Sequence, residues 1–235
     1  MSSVFRHAAC FLVLALSANV HAAPTGYLND TGQNTCFDGA NLVACAPANS
    51  GDAAANPRQD GRFGRDAAAG ASVLPKTGAG AAGFDFTRVC MSGELEGQGA
   101  CPASPALGNI SNDWACTKDN VTNLIWSLDS GYGNWTPYAT TDYPTAMNAT
   151  NRCGFSTGWR LPTRRELLSI VHNGATRPAI DSAYFPNTQI LGYWSADIYT
   201  SYSVDAWLVI FLDGRTTQDN MTFPSNYVRL VRSGQ

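Results

Sequence analysis

Charge is scarce in this chain: 14% of its 235 residues are Asp, Glu, Lys or Arg, and the formal net charge is -3. An average soluble protein carries roughly 25%. Without a basic excess the chain has no electrostatic footprint for nucleic acid. Histidine is scarcer still, with three in all. His7 and His21 fall in an N-terminal segment read below as a removable leader, which leaves His172. One imidazole cannot make a three-His zinc site, and it leaves little for triads or proton relays. Glutamate is confined to Glu94 and Glu96 in a polar loop and to Glu166 at a helix start, so a paired-carboxylate hydrolase would rest on aspartates, of which no pair stands out. Gly154-Phe155-Ser156-Thr157-Gly158 has the letters of a nucleophile elbow, but a helical pattern precedes it and His172 comes before Asp181 rather than after an acid. A Gly-rich loop is the better reading. Past the N-terminus no stretch approaches the roughly 18 apolar residues of a membrane helix. Lysine is limited to Lys76 and Lys118, and the other cations are arginines. That bias suits planar, bidentate recognition of carboxylate or sulfate; a solvated surface is the simpler account.

What is present begins with an export signal. Arg6 and His7 precede the apolar run Phe11-Leu12-Val13-Leu14-Ala15-Leu16, and Val20-His21-Ala22 places small residues where a signal peptidase cuts. Residues 1–22 are therefore expected to be removed, and the mature chain to be secreted, periplasmic or on the cell surface. Cleavage after Ala23 is disfavoured by Pro24. Of seven cysteines, Cys10 leaves with the signal. The other six, an even number in an oxidising compartment, point to three disulfides. Spacing favours Cys36 with Cys45 and Cys90 with Cys101, leaving Cys116 with Cys153 as the long clamp.

Residues 23–85 form an Ala/Gly/Pro-rich segment with little apolar surface to offset ordering, expected to drape over the folded part or to act as a linker. Asp60 and Asp66 could offer oxygen ligands to calcium, but the alternation of acidic ligands in a calcium loop is missing, and a solvated turn is preferred. Residues 86–235 read as the folded domain. Trp114-Ala115-Cys116-Thr117-Lys118 and Leu124-Ile125-Trp126-Ser127, joined by Asp119-Asn120-Val121-Thr122, predict a hairpin. A helix is expected from Asp142 as N-cap, past Pro144, to Cys153-Gly154. Thr163 with Glu166 is a capping box that opens a second helix over 164–172, with Leu167, Leu168, Ile170 and Val171 on one face, Asn173-Gly174 as its stop, and His172 at its C-terminal dipole. Tyr193-Trp194-Ser195, Ala206 to Leu212 before Asp213-Gly214, and Tyr227 to Val231 read as sheet. The expected fold is α+β.

Aromatic and polar residues in loops, Trp135, Tyr138, Asp197, Tyr199, Tyr202, Asp205, Arg215 and Asp219, are the candidate ligand-binding set. Flat rings beside carboxylates and guanidinium suit a pyranose, which has a C-H-rich face and hydroxyls that take bidentate partners. Covering a thin core is the competing role for any one of them. Sequons at Asn29, Asn109, Asn120, Asn134, Asn148 and Asn220 matter only in a host that glycosylates.

The blocks Trp114 to Trp126, Gly158-Trp159-Arg160-Leu161-Pro162-Thr163-Arg164-Arg165-Glu166-Leu167, Tyr193-Trp194-Ser195, Ala206-Trp207 and Tyr227-Val228-Arg229-Leu230-Val231-Arg232 together resemble a bacterial domain family. That family is typified by the C-terminal domain of the Legionella collagen-like adhesin, and the match spans about 112–232. The Pro57 to Asp66 block resembles a segment seen ahead of such domains. The resemblance implies an extracytoplasmic, non-catalytic domain, in some members an adhesin that binds sulfated polysaccharide and assembles as a homo-trimer. The Arg-Leu-Pro-Thr block and the terminal strand are also similar to the C-type lectin and formylglycine-generating-enzyme superfold. The enzyme relatives' cysteine pair and the lectin calcium residues are not recognisable, so no cofactor or metal is expected. Adhesion or glycan recognition is the leading function, with glycan or surface protein as partner. The alternatives are a structural subunit of a surface assembly such as a pilus, and a formylglycine-generating-type enzyme.

Overall fold

In the computed structural model, which describes residues 29–45, 59–223 and 226–234, the strand patterns assemble into one seven-stranded sheet and one small hairpin. The export signal over 1–22 lies outside the described residues. The hairpin is β1 (Thr35–Phe37) with β2 (Leu42–Ala44), closed by Cys36–Cys45. A 3-10 turn (Asp60–Arg62) and α1 (Gly64–Gly70) follow. The main sheet is built from β3 (Phe86–Cys90), β4 (Trp114–Asp119), β5 (Leu124–Gly133), β6 (Gly192–Ile198), β7 (Asp205–Ile210), β8 (Thr216–Asn220) and β9 (Asn226–Ser233). Between β5 and β6 lie a π-helix (Trp135–Asp142), α2 (Tyr143–Ala149) and α3 (Arg164–Leu168). The architecture is α+β, mostly sheet with short helices and three disulfides.

The strand order is β3-β4-β5-β9-β6-β7-β8. The expected hairpin is β4–β5, in register from Asp119 with Leu124 to Cys116 with Ser127. β9 runs antiparallel to β5 and parallel to β6, meeting β6 at Tyr193 and Tyr227. The last strand thus joins the two halves of the sheet.

Successive strand residues point to opposite faces, and here both faces are covered. Trp126, Tyr193, Val209 and Val231 face a core completed by Leu167, Ile170, Val171, Ile180 and Phe185. Their neighbours Ile125, Trp194, Leu208 and Leu230 face a second core with Met147, Trp159, Leu161 and the Cys116–Cys153 bridge. Double burial explains the near-continuous apolar runs of these strands. Cys90–Cys101 pins the loop after β3.

The helix after Thr163 is shorter than its pattern suggests. The capping box is complete, with Thr163 Oγ1 accepting from Glu166 N at 3.2 Å and Glu166 Oε2 accepting from Thr163 N at 2.8 Å. It ends at Leu168, where Ser169 Oγ donates back to Glu166 O at 2.7 Å and competes with the ladder. Ile170 and Val171 leave the helix to enter the first core. Asn173-Gly174 is therefore no helix stop, and His172 is not at the dipole. Its ring packs against Phe84 at 5.5 Å, and burial lowers its pKa, the reverse of the upward push a dipole gives. α2 starts after Asp142 with Pro144 in its first turn, as expected, but the π-helix runs straight into it, so Asp142 has helical dihedrals (φ -67, ψ -49) and its side chain makes no capping bond.

The described part of the N-terminal segment drapes over the domain and makes specific bonds. Asn173 N–H donates to Thr31 O at 2.8 Å, Asn29 Nδ2 to Ser169 O at 3.2 Å, and Ala81 N–H to Asp181 Oδ2 at 2.7 Å.

Candidate functional site

Three rings, one exposed and two half-buried, meet where β6 and β7 run past the N-terminus of α3. β6 leaves the sheet at Ile198, and the turn that follows is closed by Tyr199 N–H to Asp205 O at 2.9 Å and Tyr202 N–H to Tyr199 O at 3.0 Å. Two residues into β7, Trp207 shares the face of Val209, the face on which α3 sits. Arg164, the first residue of α3, lays its guanidinium 4.2 Å from the Trp207 ring centre. Tyr199 meets Trp207 edge-on at 5.0 Å, and Tyr202 stacks on Tyr199 at 6.2 Å and 24°. The outcome is a step of one indole and two phenols with a cation at its inner end. Tyr202 is 66% exposed, with the exposed side chains of Ile198 and Val204 near it in the chain.

The helix start that carries Arg164 is rigidly held. Asp197 Oδ2 accepts the Arg164 N–H at 2.6 Å, which puts a carboxylate at the positive end of the helix. Arg160 grips Glu166 with two bonds, 2.8 and 2.6 Å. Burial tends to raise the Glu166 pKa, but those bonds and the Thr163 N–H outweigh it and hold the carboxyl below its usual range. Such a mount can present an arginine and a ring as a fixed surface for a ligand that stacks and accepts hydrogen bonds.

Of the residues singled out in the sequence, Tyr199, Tyr202 and Asp197 gather at this step. Trp135 and Tyr138 lie on the other face, with Trp135 Nε1 donating to Ser195 O at 2.7 Å and Tyr138 stacked on Tyr143 at 5.5 Å. Tyr138 fits because β5 has glycine beneath it, where a Cβ on Gly133 would stand 2.5 Å from the ring. Asp205 opens β7 opposite Asn220, and Asp219 on β8 accepts from Asn226 Nδ2 at 2.8 Å. Arg215, in the turn at the far end of β7, pairs with Asp213 at 2.6 Å. Sequence reasoning missed Arg164 and Trp207. Their signal was modest: the residue after a capping-box threonine, and an aromatic out of phase with Ala206 and Leu208.

A family model, described as the Lcl C-terminal domain, matches residues 115–232. This chain belongs to the Lcl C-terminal domain family. No curated protein and no solved structure matches it. The match opens in β4 and closes in β9, so the Lcl C-terminal domain contains the Cys116–Cys153 bridge and the whole Arg164–Trp207 step.

Outside the matched region, Asp60 and Asp66 meet Asp30, and one carboxylate oxygen from each lies within 4.8 Å of the others. These three could share a proton or a cation. Burial raises the Asp66 pKa, and the charges of Asp30 and Asp60 push the same way. Asp30 was not legible as their partner, since contact across that separation comes from the draped segment alone.

The arginine bias has a use in the structure. Arg88 stands over Trp114 at 4.7 Å and Arg232 over Phe155 at 3.4 Å. Arg229, fully buried, stands over Phe185 at 5.2 Å and Tyr193 at 5.3 Å while Nη2 donates to Thr188 Oγ1 at 3.0 Å. Planar, weakly hydrated guanidinium stacks on rings where an ammonium would resist desolvation.

Proposed function

We propose that this domain is an extracytoplasmic, non-catalytic binding module that holds a glycan against the Tyr202–Tyr199–Trp207 step. The single observation that carries the reading is the Arg164 guanidinium stacked on Trp207 beside a largely exposed Tyr202. Rings present the apolar face a sugar ring needs, and the cation supplies directional donors to its hydroxyls. Membership of a family typified by an adhesin domain supports surface attachment. The disulfides support an oxidising location. Absence of catalysis is supported by the pairing of Cys116 with Cys153, which leaves the matched region no described free thiol to serve as nucleophile. We also read the scaffold as a variant of the C-type lectin and formylglycine-generating-enzyme superfold, with trimeric assembly as in some relatives.

A glycan array on the oxidised mature protein tests this, with Trp207→Ala and Tyr202→Ala alongside. Binding of a defined sugar that weakens by about tenfold or more in either variant is expected, equivalent to about 1.4 kcal/mol. Binding to no sugar, with or without calcium, would replace the reading with that of a structural subunit. Copper-dependent oxidation of a Cys-containing peptide would replace it with an enzyme.

A further inference from the structure

Asn173-Gly174 is the only Asn-Gly step in the chain, and it lies in an exposed turn after α3. In such a pair the glycine nitrogen meets no side-chain hindrance and can close on the Asn carboxamide. What the reaction needs is a base for the amide proton. Here Gly174 N–H donates to His172 Nδ1 at 3.1 Å. Nδ1 is thus the lone-pair nitrogen and the ring proton sits on Nε2. The imidazole is fixed in that pose: His172 is 8% exposed, its ring packs on Phe84, and its own N–H donates to Ala179 O at 3.1 Å. Burial lowers its pKa, and the Asp181 and Asp66 carboxylates that face it only partly oppose this, so it is neutral near pH 7.

We propose that His172, Asn173 and Gly174 form a self-modification site in which His172, as general base, converts Asn173 into aspartate and isoaspartate. Nδ1 takes the Gly174 amide proton as that nitrogen attacks Asn173 Cγ. The tetrahedral centre collapses and the carboxamide nitrogen leaves as ammonia, carrying the proton that His172 returns. A five-membered succinimide remains, and water opens either of its carbonyls. No oxidant, reductant or metal enters the balance.

The position of the turn gives the reaction a consequence. Asn173 N–H holds Thr31 O at 2.8 Å, and a Cβ on Gly174 would stand 2.6 Å from Gly32 O. Isoaspartate lengthens the main chain between residues 173 and 174 by one methylene, which the Gly32 carbonyl leaves no room to absorb. The contact with residues 29–33 is displaced, so the site works as a slow, irreversible timer for release of that strap.

The test is peptide mapping of the intact oxidised protein during incubation, with mass spectrometry for loss of the Asn173 amide and a methyltransferase assay for isoaspartate. Across about pH 5.5 to 8.5, which brackets the usual imidazole range, the wild-type rate is expected to level off once the imidazole is neutral. His172→Gln, checked for folding by circular dichroism, is expected to be slower by at least about tenfold. A wild-type rate that climbs about tenfold per pH unit through that range, as hydroxide attack would, overturns the proposal. So does a folded His172→Gln protein that forms product at the wild-type rate. Should that variant not fold, the wild-type pH profile decides alone.

Discussion

Removing the Cys116–Cys153 bridge should cost more than removing Cys90–Cys101, and the structure sets the size of the gap. The first spans 37 residues of sequence and the second 11. A cross-link restricts the unfolded chain more when it closes a longer loop, which gives about 4 kcal/mol for the first and about 3 kcal/mol for the second. For a domain of this size about 2–4 °C is lost per kcal/mol, so Tm should fall by about 8–16 °C in Cys116→Ala/Cys153→Ala and about 6–12 °C in Cys90→Ala/Cys101→Ala. Packing widens the difference in the same direction. All four cysteines are buried, but Cys116 and Cys153 sit within the second core, tying β4 to the chain after α2, whereas Cys90 and Cys101 lie outside that cluster and close a loop beyond the sheet. Alanine is the replacement of choice because serine would add a buried hydroxyl needing a partner. The assay is differential scanning calorimetry of both pairs beside the wild type under oxidising conditions. Equal losses, or a larger loss from the Cys90–Cys101 pair, would refute the reasoning.

Two further outcomes are expected. Glu166→Gln, which weakens the capping box and the Arg160 grip, should lose about 1 kcal/mol at neutral pH by urea denaturation. Because the folded carboxyl titrates below its usual value, that advantage exists above about pH 4.3 and fades as pH falls through the lowered pKa, so the gap should shrink in acid; a gap that grows in acid refutes it. Asp66→Asn should behave oppositely. Folded Asp66 binds its proton more tightly than the unfolded chain, so its contribution is intact in acid and is lost as pH rises through the raised pKa. The variant's Tm should therefore gain on the wild type between about pH 4 and 8, and a pH-independent difference would count against the carboxylate crowding at Asp30, Asp60 and Asp66.

What could be read in advance was local. The β4–β5 turn and the capping box each join residues three positions apart, and the hairpin pairs residues no more than eleven apart, so their letters nearly suffice. Gly214, with φ +82 after Asp213, closes β7 where the sequence put a turn. The extent of α3 was not legible, because the pull of the core on Ile170 and Val171 competes with helix propagation, and a helical stripe cannot report that. Nor was the face on which each aromatic lands. Tyr138 and Tyr199 look alike as letters, yet one covers glycines on one side of the sheet and the other edges onto Trp207 on the opposite side.

Sequence by itself settled the α+β class, the disulfide parity and the family resemblance, since composition, cysteine count and short motifs are properties of the chain before it folds. Only tertiary structure decided that β9 inserts between β5 and β6, that Arg164 covers Trp207, and that Asp30 meets Asp60 and Asp66. Each of these joins residues far apart along the chain. The first two form as the two faces of the sheet are buried, and the third as the N-terminal segment drapes over the domain, conditions that no local window of sequence contains.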